Sequence, residues 1–238
     1  MVNDKTLLIS LPNGPQCDVP HGVSLELAMT PPPPPTFGLI LAGGRARRLG
    51  GGDKTLVRIA GSTILDRELA ILSGQCAGVI INANGDPARF ADTGCEVVPD
   101  NVPDFAGPLA GVLAGLDWLA AQGRGIEWLL SVPGDCPFLP DDLVERLHEA
   151  RRKLGAGVPL AVARSGNRQH HVTGLWPLAR RADLRRALSV EGLRKVEDFV
   201  ARYNVAIADW PVEPLDPFFN VNTPEDIEHA ETLAARYG

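Results

Sequence analysis

Phe37-Gly38-Leu39-Ile40-Leu41-Ala42-Gly43-Gly44-Arg45-Ala46-Arg47-Arg48-Leu49-Gly50-Gly51-Gly52-Asp53-Lys54 is the stretch from which the fold can be read. Phe37 to Leu41 is an apolar run of strand length, and the glycines behind it lack a Cβ, so the chain can turn sharply and present N–H groups to phosphate oxygens. Arg48 and Lys54 add fixed positive charge. Transfer of a phosphoryl or nucleotidyl group depends mostly on orientation and charge neutralisation, which is what such a loop offers. Two familiar phosphate motifs do not fit. A P-loop requires Gly-Lys-Ser/Thr, whereas Asp53 precedes Lys54-Thr55; the dinucleotide fingerprint requires Gly-x-x-Gly where Arg45-Ala46-Arg47-Arg48 follows Gly43-Gly44.

Outward from this loop, apolar strand-like runs alternate with amphipathic helical patterns. A helix is expected near 62–75, strands at 79–82 and 96–99, a helix over 108–121, a strand at 128–132 and a helix over 141–154. Two shorter strands at 160–163 and 172–176, helices at 180–188 and 193–202, a strand at 205–208 and a last helix over 223–236 complete the order. The alternation predicts an α/β fold, a three-layer, Rossmann-like open sheet, mainly parallel, with helices on both faces. Ligands of such sheets sit at the carboxyl ends of the strands. Gly43, Asn82, Asp100 and Asp135 each follow one of the first four main strands.

The glycine-rich loop resembles the Leu-Ala-Gly-Gly-x-x-x-Arg-Met/Leu-Gly-x-Asp-Lys signature of the nucleotide-diphosphate-sugar transferase-like nucleotidyltransferases, and with Gly43-Gly44 it is most similar to the molybdenum cofactor guanylyltransferases. Further segments follow in the family's order: Asn82-Ala83-Asn84, Val97-Val98-Pro99-Asp100, Gly107-Pro108-Leu109-Ala110-Gly111, Pro133-Gly134-Asp135-Cys136-Pro137, and Asn220-Val221-Asn222-Thr223-Pro224-Glu225-Asp226. The resemblance runs from Phe37 to the end of the chain. It implies transfer of GMP from GTP to the terminal phosphate of molybdenum-molybdopterin, with pyrophosphate released. It also implies nucleotide contacts at Leu41, Ala42, Gly43, Gly44, Lys54, Asn82, Asp100 and Asp135, catalytic roles for Lys54, Arg48 and Asp135, a Mg²⁺ ligand at Asp135, and a pterin-side position for Asn220 and Asn222.

Each of these residues also has a plain structural reading. Arg48 could pair with Asp53, Asp100-Asn101 is a good turn pair, and Asp135 could be a turn-forming aspartate, although no basic residue stands near it in sequence. One carboxylate with phosphate oxygens and water is nevertheless an ordinary Mg²⁺ arrangement. Thr223 is explained as a helix N-cap, with Pro224 in the first turn. Arg45 and Arg47 are expected to be exposed or to touch the second substrate. His170 and His171, adjacent in a strand, point to opposite faces and are expected at the surface or against substrate. The nearest rival reading is a molybdopterin cytidylyltransferase, a group that carries Leu-Ala-Ala-Gly in place of Leu41-Ala42-Gly43-Gly44. Another Mg²⁺-dependent nucleotidyltransferase is a further rival, and a silent nucleotide or cofactor carrier is one of a different class.

Composition sets the outer limits. The 238 residues are 45% hydrophobic and 22% charged, as expected of a single globular domain with an adequate core. A net charge of −6 argues against a general nucleic-acid surface. No apolar segment reaches membrane-spanning length. Cys17, Cys76, Cys95 and Cys136 form no C-x-x-C pair, so a reduced, cytoplasmic setting is expected. Residues 1–36 read as an extension with a polyproline spacer, poorly ordered, ahead of a nucleotidyltransferase domain over 37–238. A monomer or weak oligomer is expected, with molybdenum insertion proteins and client molybdoenzymes as candidate partners.

Overall fold

The computed structural model describes residues 31–43, 53–102, 107–155, 157 and 160–237. Most of the expected N-terminal extension and the loop residues Gly44, Arg45, Arg47 and Arg48 therefore lie outside the described residues. The described chain forms β1 (Thr36–Leu41), β2 (Arg58–Ile59), β3 (Ser62–Thr63), α1 (Ile64–Gln75), β4 (Val79–Asn82), β5 (Glu96–Val98), α2 (Pro108–Gln122) and β6 (Trp128–Pro133). It continues with α3 (Leu143–Lys153), β7 (Leu160–Ser165), β8 (Arg168–Pro177), α4 (Arg181–Ser189), α5 (Val196–Val200), β9 (Val205–Trp210) and α6 (Pro224–Tyr237).

Seven strands form one sheet in the order β5-β4-β1-β6-β8-β7-β9. β5, β4, β1 and β6 are parallel neighbours, β7 and β9 are parallel, and β8 runs antiparallel to both β6 and β7. The period of two along a strand splits the apolar side chains between two cores. From β1, Phe37 and Leu39 enter the core beneath α2, α4 and α5, while Ile40 enters the core beneath α1 and α3. β4 divides Ile80 from Ile81 in the same way, and β6 divides Leu129 from Leu130. Both faces are thus covered, as the alternating sequence predicts.

α2 approaches the sheet closely at two glycines. A Cβ on Gly115 would lie 2.8 Å from Leu39 Cδ2, and one on Gly111 would lie 2.2 Å from Asn82 Oδ1. A smaller third core joins the β2–β3 hairpin and α1 to α6 through Ile59, Ile64, Val221 and Ala230. It draws the C-terminal segment toward the carboxyl ends of β1 and β6, where Val221 N–H donates to Asp135 O at 2.9 Å.

Several expected boundaries move. The helix expected near 62 begins at Ile64, because residues 62 and 63 pair with 59 and 58 in a short hairpin and Thr63 becomes the N-cap. The helix expected over 193–202 contracts to Val196–Val200. The two short strands expected at 160–163 and 172–176 are a hairpin of six and ten residues, whose polar start Arg168-Gln169-His170-His171 does not look like a strand in isolation. A 3₁₀ segment at Pro87–Thr93, capped by Asp86, was not expected from the sequence.

Candidate active site

Four parallel strands end along one edge of the sheet, and their last residues surround a cavity of about 360 Å³. Leu41 comes from β1, Asn82 from β4, Asp100 follows β5, and Asp135 follows β6. Gly43 and Lys54 line the same space. Six residues singled out in the sequence are therefore neighbours. Ala42 is buried at 1% exposure beneath them, and its N–H donates to Asn82 O at 2.9 Å, tying the start of the glycine loop to β4.

One end of the cavity is an amide clamp around a carboxylate. Asn84 Nδ2 donates to Asp100 Oδ2 at 2.7 Å, and Asp100 N–H donates back to Asn84 Oδ1 at 2.9 Å. Asn82 Nδ2 donates to Asp100 Oδ1 and to Val98 O, each at 3.0 Å. Both carboxylate oxygens are thus steered while keeping lone pairs for a further donor. Asp100 is more than the turn former that Asp100-Asn101 suggests. Arg89 extends the clamp: Nη2 donates to Asn84 O at 2.7 Å, and Nε lies 2.7 Å from the carboxylate of Asp53. Asp53 is thereby paired with Arg89.

The other end holds separated charge. Lys54 Nζ donates to Asn222 Oδ1 at 2.5 Å and lies 3.4 Å from Asp135 Oδ2, while Asn220 Nδ2 donates to Asp135 Oδ1 at 2.6 Å. The basic partner that Asp135 lacks in sequence is therefore Lys54, brought from β1's loop. Asn220 and Asn222 spend their side chains on this pair. The backbone of Asn222 is fixed by a reciprocal cap at the start of α6. Asp226 Oδ2 accepts from Asn222 N–H at 2.8 Å and Thr223 N–H at 2.9 Å, and Asp226 N–H donates to Thr223 Oγ1 at 3.2 Å. Thr223 is the expected N-cap.

The loop bearing Asp135 is tied down on three sides. Gly134 N–H donates to Leu41 O at 3.1 Å, Val221 N–H to Asp135 O at 2.9 Å, and Cys136 N–H to Glu68 Oε1 at 3.1 Å. Gly134 is needed here, since a Cβ would stand 2.3 Å from Thr55 Cγ2. Glu68 is 1% exposed, and burial pushes its carboxyl well above the usual carboxylate range, with the charge of Asp135 adding and the hydrogen bond from Cys136 opposing. Burial also pushes the Cys136 thiol up and takes Cys76 to about 12, so neither supplies a thiolate nucleophile.

Beyond Asp135 lies a second cavity of about 430 Å³, lined by Arg168, His170, His171, Thr173, Lys195 and Asn220. Because β8 is antiparallel, its first residues reach the edge where the parallel strands end. Thr173 is 1% exposed, and its hydroxyl has no hydrogen-bond partner among the described residues. His170 Nε2 lies 2.8 Å from Ser165 Oγ, and burial lowers its pKa despite the opposing charge of Asp216. Among the described residues no cluster of three or more His, Cys, Asp or Glu could hold a metal ion by itself. Asp135, a single carboxylate beside a polyanion-sized cavity, fits a hard cation whose other ligands are phosphate oxygens and water.

The family model of the MobA-like NTP transferase domain matches residues 38–205. A molybdenum cofactor guanylyltransferase from Nitrobacter hamburgensis is 58% identical over 205 residues, covering 86% of this chain and 97% of the relative. The chain belongs to the molybdenum cofactor guanylyltransferase family. A guanylyltransferase from Mesorhizobium japonicum, at 42% identity over 199 residues, spans 82% of this chain and 94% of its own length. The fold agrees with the crystal structure of molybdopterin-guanine dinucleotide biosynthesis protein A from Archaeoglobus fulgidus. Its TM-score is 0.65 and its identity 24%, over 84% of this chain and 99% of that one.

Within this guanylyltransferase framework, sequence reasoning missed Asn84, Glu68, Arg168, Thr173 and Lys195. Asn84 carried a signal, standing two residues after Asn82 and so on the same side of an extended chain. Glu68 carried none, since a glutamate in an amphipathic helix ordinarily faces solvent.

Proposed function

We propose that the protein transfers GMP from GTP to the terminal phosphate of molybdenum-bearing molybdopterin, forming the guanine dinucleotide cofactor and pyrophosphate. The observation that carries this reading is Asp135, which lines both cavities and is paired with Lys54 on the side of the first. GTP would lie in the first cavity, with the base toward Asp100 and the phosphates toward Lys54. The acceptor would enter through the second, where Arg168 and Lys195 offer positive charge to its phosphate.

An oxygen of the acceptor phosphate attacks the α-phosphorus, and the bond from that phosphorus to the β-phosphate oxygen breaks in line. The attacking group is already an anion at neutral pH, so no serine or cysteine nucleophile is needed. Lys54 and the backbone N–H of Gly43 neutralise the departing pyrophosphate. Asp135 would hold Mg²⁺, which supplies further charge neutralisation across the phosphates when bound. Asn222 holds Lys54 and Asn220 holds Asp135, each by its own hydrogen bond beside the ion pair. Asp100, with both oxygens oriented, offers acceptors to N–H donors on the base edge.

The test is mass detection of product after incubation with molybdenum-molybdopterin, Mg²⁺ and an equal mixture of GTP, CTP, ATP and UTP, with and without a chelator. A guanine dinucleotide with pyrophosphate, abolished by the chelator, is expected. A cytosine dinucleotide would overturn the base assignment, and bound GTP with no dinucleotide would overturn the acceptor. Undiminished product in the chelator would overturn the Mg²⁺ requirement.

A further inference from the structure

The apolar face of α1 is built from Ile64, Leu65 and Leu72, and at the fourth buried position, one turn after Ile64, stands Glu68. A carboxyl group in such a place needs a partner, because burial of an unpaired polar group is costly. Its Oε1 accepts the N–H of Cys136 at 3.1 Å; its Oε2 has no hydrogen-bond partner among the described residues. Among the described residues, its one hydrogen bond is therefore to the residue beside Asp135.

The three ties on the 134–136 loop differ in kind. Those from Gly134 to Leu41 and from Val221 to Asp135 are backbone to backbone and come with the fold. Of these three, the tie at Cys136 is the one in which a side chain holds the loop's backbone, and without it a buried N–H would lose its acceptor; Asn220 Nδ2 meets the side chains of Asp135 and Cys136 instead. On the opposite side of the loop Thr55 leaves no slack against Gly134. The loop is thus gripped between Thr55 and Glu68, with the Asp135 carboxylate pointing outward to Lys54 and Asn220.

We propose that Glu68 is a positioning residue, whose Oε1 holds the Cys136 N–H and so fixes the direction in which the Asp135 carboxylate meets the triphosphate and its cation. The proposal rests on the reading of Asp135 given above. Glu68 touches no reacting group, and an alternative in which it merely fills the core predicts a different response to substitution. Glu68→Gln keeps a carbonyl oxygen for the Cys136 N–H. Glu68→Met keeps length and removes the acceptor.

Wild type, E68Q and E68M are compared by circular dichroism, by hydrogen exchange of the peptide covering 133–138 in metal-free protein, and by the kinetics of GMP transfer against Mg²⁺ and GTP. In folded E68M the Mg²⁺ needed for half-maximal rate rises and kcat falls, each about tenfold, as for other residues that orient a ligand carboxylate. KM for GTP at saturating Mg²⁺ stays within about twofold of wild type, since uniform nucleotide binding is untouched. Exchange in 133–138 quickens about tenfold in E68M, reflecting local opening. E68Q behaves as wild type in all three. A folded E68M with wild-type exchange and Mg²⁺ response would overturn the proposal, as would E68Q falling as far as E68M. An unfolded E68M would assign the residue to the fold as a whole and overturn it too. Wild-type protein that transfers no GMP, or transfers it without a divalent cation, would instead sink the reading of Asp135, and this proposal with it.

Discussion

Lys54 Nζ and Asp135 Oδ2 face each other at 3.4 Å, with their side chains 20% and 19% exposed. A pair so placed contributes little to stability, since an ion pair still in reach of water is worth about 0–1 kcal/mol. The Asn222 and Asn220 side chains nevertheless hold each partner separately. On the proposed reading these two charges are the ones that would meet a phosphate oxygen and a metal ion.

Asp135→Ala is therefore expected to leave the fold intact and to lower GMP transfer by roughly 10²–10³-fold, the scale of losing one main electrostatic contact to a transition state. Pyrophosphate release and thermal unfolding measured on the same sample check this. Turnover near wild type would remove Asp135 from the chemistry.

Asn84→Ala removes two hydrogen bonds to Asp100. The expected result is a rise in KM for GTP with kcat little changed, because the clamp acts on the base end and away from the reacting phosphate. A loss of about 1–3 kcal/mol in nucleotide binding is the range for a charged group deprived of a partner. Titration calorimetry with GTP reads it directly, and unchanged affinity would show that Asp100 needs no clamp.

Gly111→Ala would set a methyl group 2.2 Å from Asn82 Oδ1 and 2.6 Å from Leu41 Cδ2. Either α2 lifts or Asn82 turns away from Asp100, so GTP affinity should fall together with stability. Gly115→Ala presses on Leu39 and Leu129 instead and should cost about 1–3 kcal/mol of stability by overpacking with GTP affinity preserved. Equal effects of the two substitutions on GTP binding would contradict this division.

His148 is buried with its Nε2 2.8 Å from Thr36 Oγ1. Burial lowers its pKa from 6.5 to about 4, with Arg151 and Arg152 adding to the effect. Between these values the unfolded chain binds the proton more readily than the folded one. The contribution is therefore complete above 6.5 and fades as pH falls toward about 4. From pH 7 to 5 it amounts to at most about 2 kcal/mol. Urea unfolding at both pH values should show a smaller pH effect in His148→Gln than in wild type; identical slopes would absolve His148.

What the sequence disclosed and what it withheld have a common physical basis. Strands buried on both faces, such as β1, β4 and β6, are mostly apolar runs, and a polar residue at or just past their ends stands out against them. Asn82, ending β4, and Asp135, two residues past β6, were legible for that reason, with Asp100 just past β5; the apolar Leu41 was legible only through the glycine-rich motif that follows it. The start of β8 was not, because Arg168 to His171 line an open cavity and read as loop. Lys54 with Asp135, 81 residues apart, depends on the strand order that inserts β6 beside β1. Glu68 stayed hidden because its partner is a backbone N–H from another segment, which leaves no trace in local pattern.

The reversed direction of β8 divides the labour of the sheet. The nucleotide half is assembled from four crossover strands whose ends must stay in register with one another. The facing wall is delivered by a single hairpin whose tip, between Ser165 and Arg168, lies outside that constraint. Changes at Arg168 to His171, which line the second cavity just past that tip, would reshape the wall proposed for the acceptor while leaving Lys54, Asn82 and Asp100 of the first cavity in place, so on that reading one scaffold would serve for new acceptors.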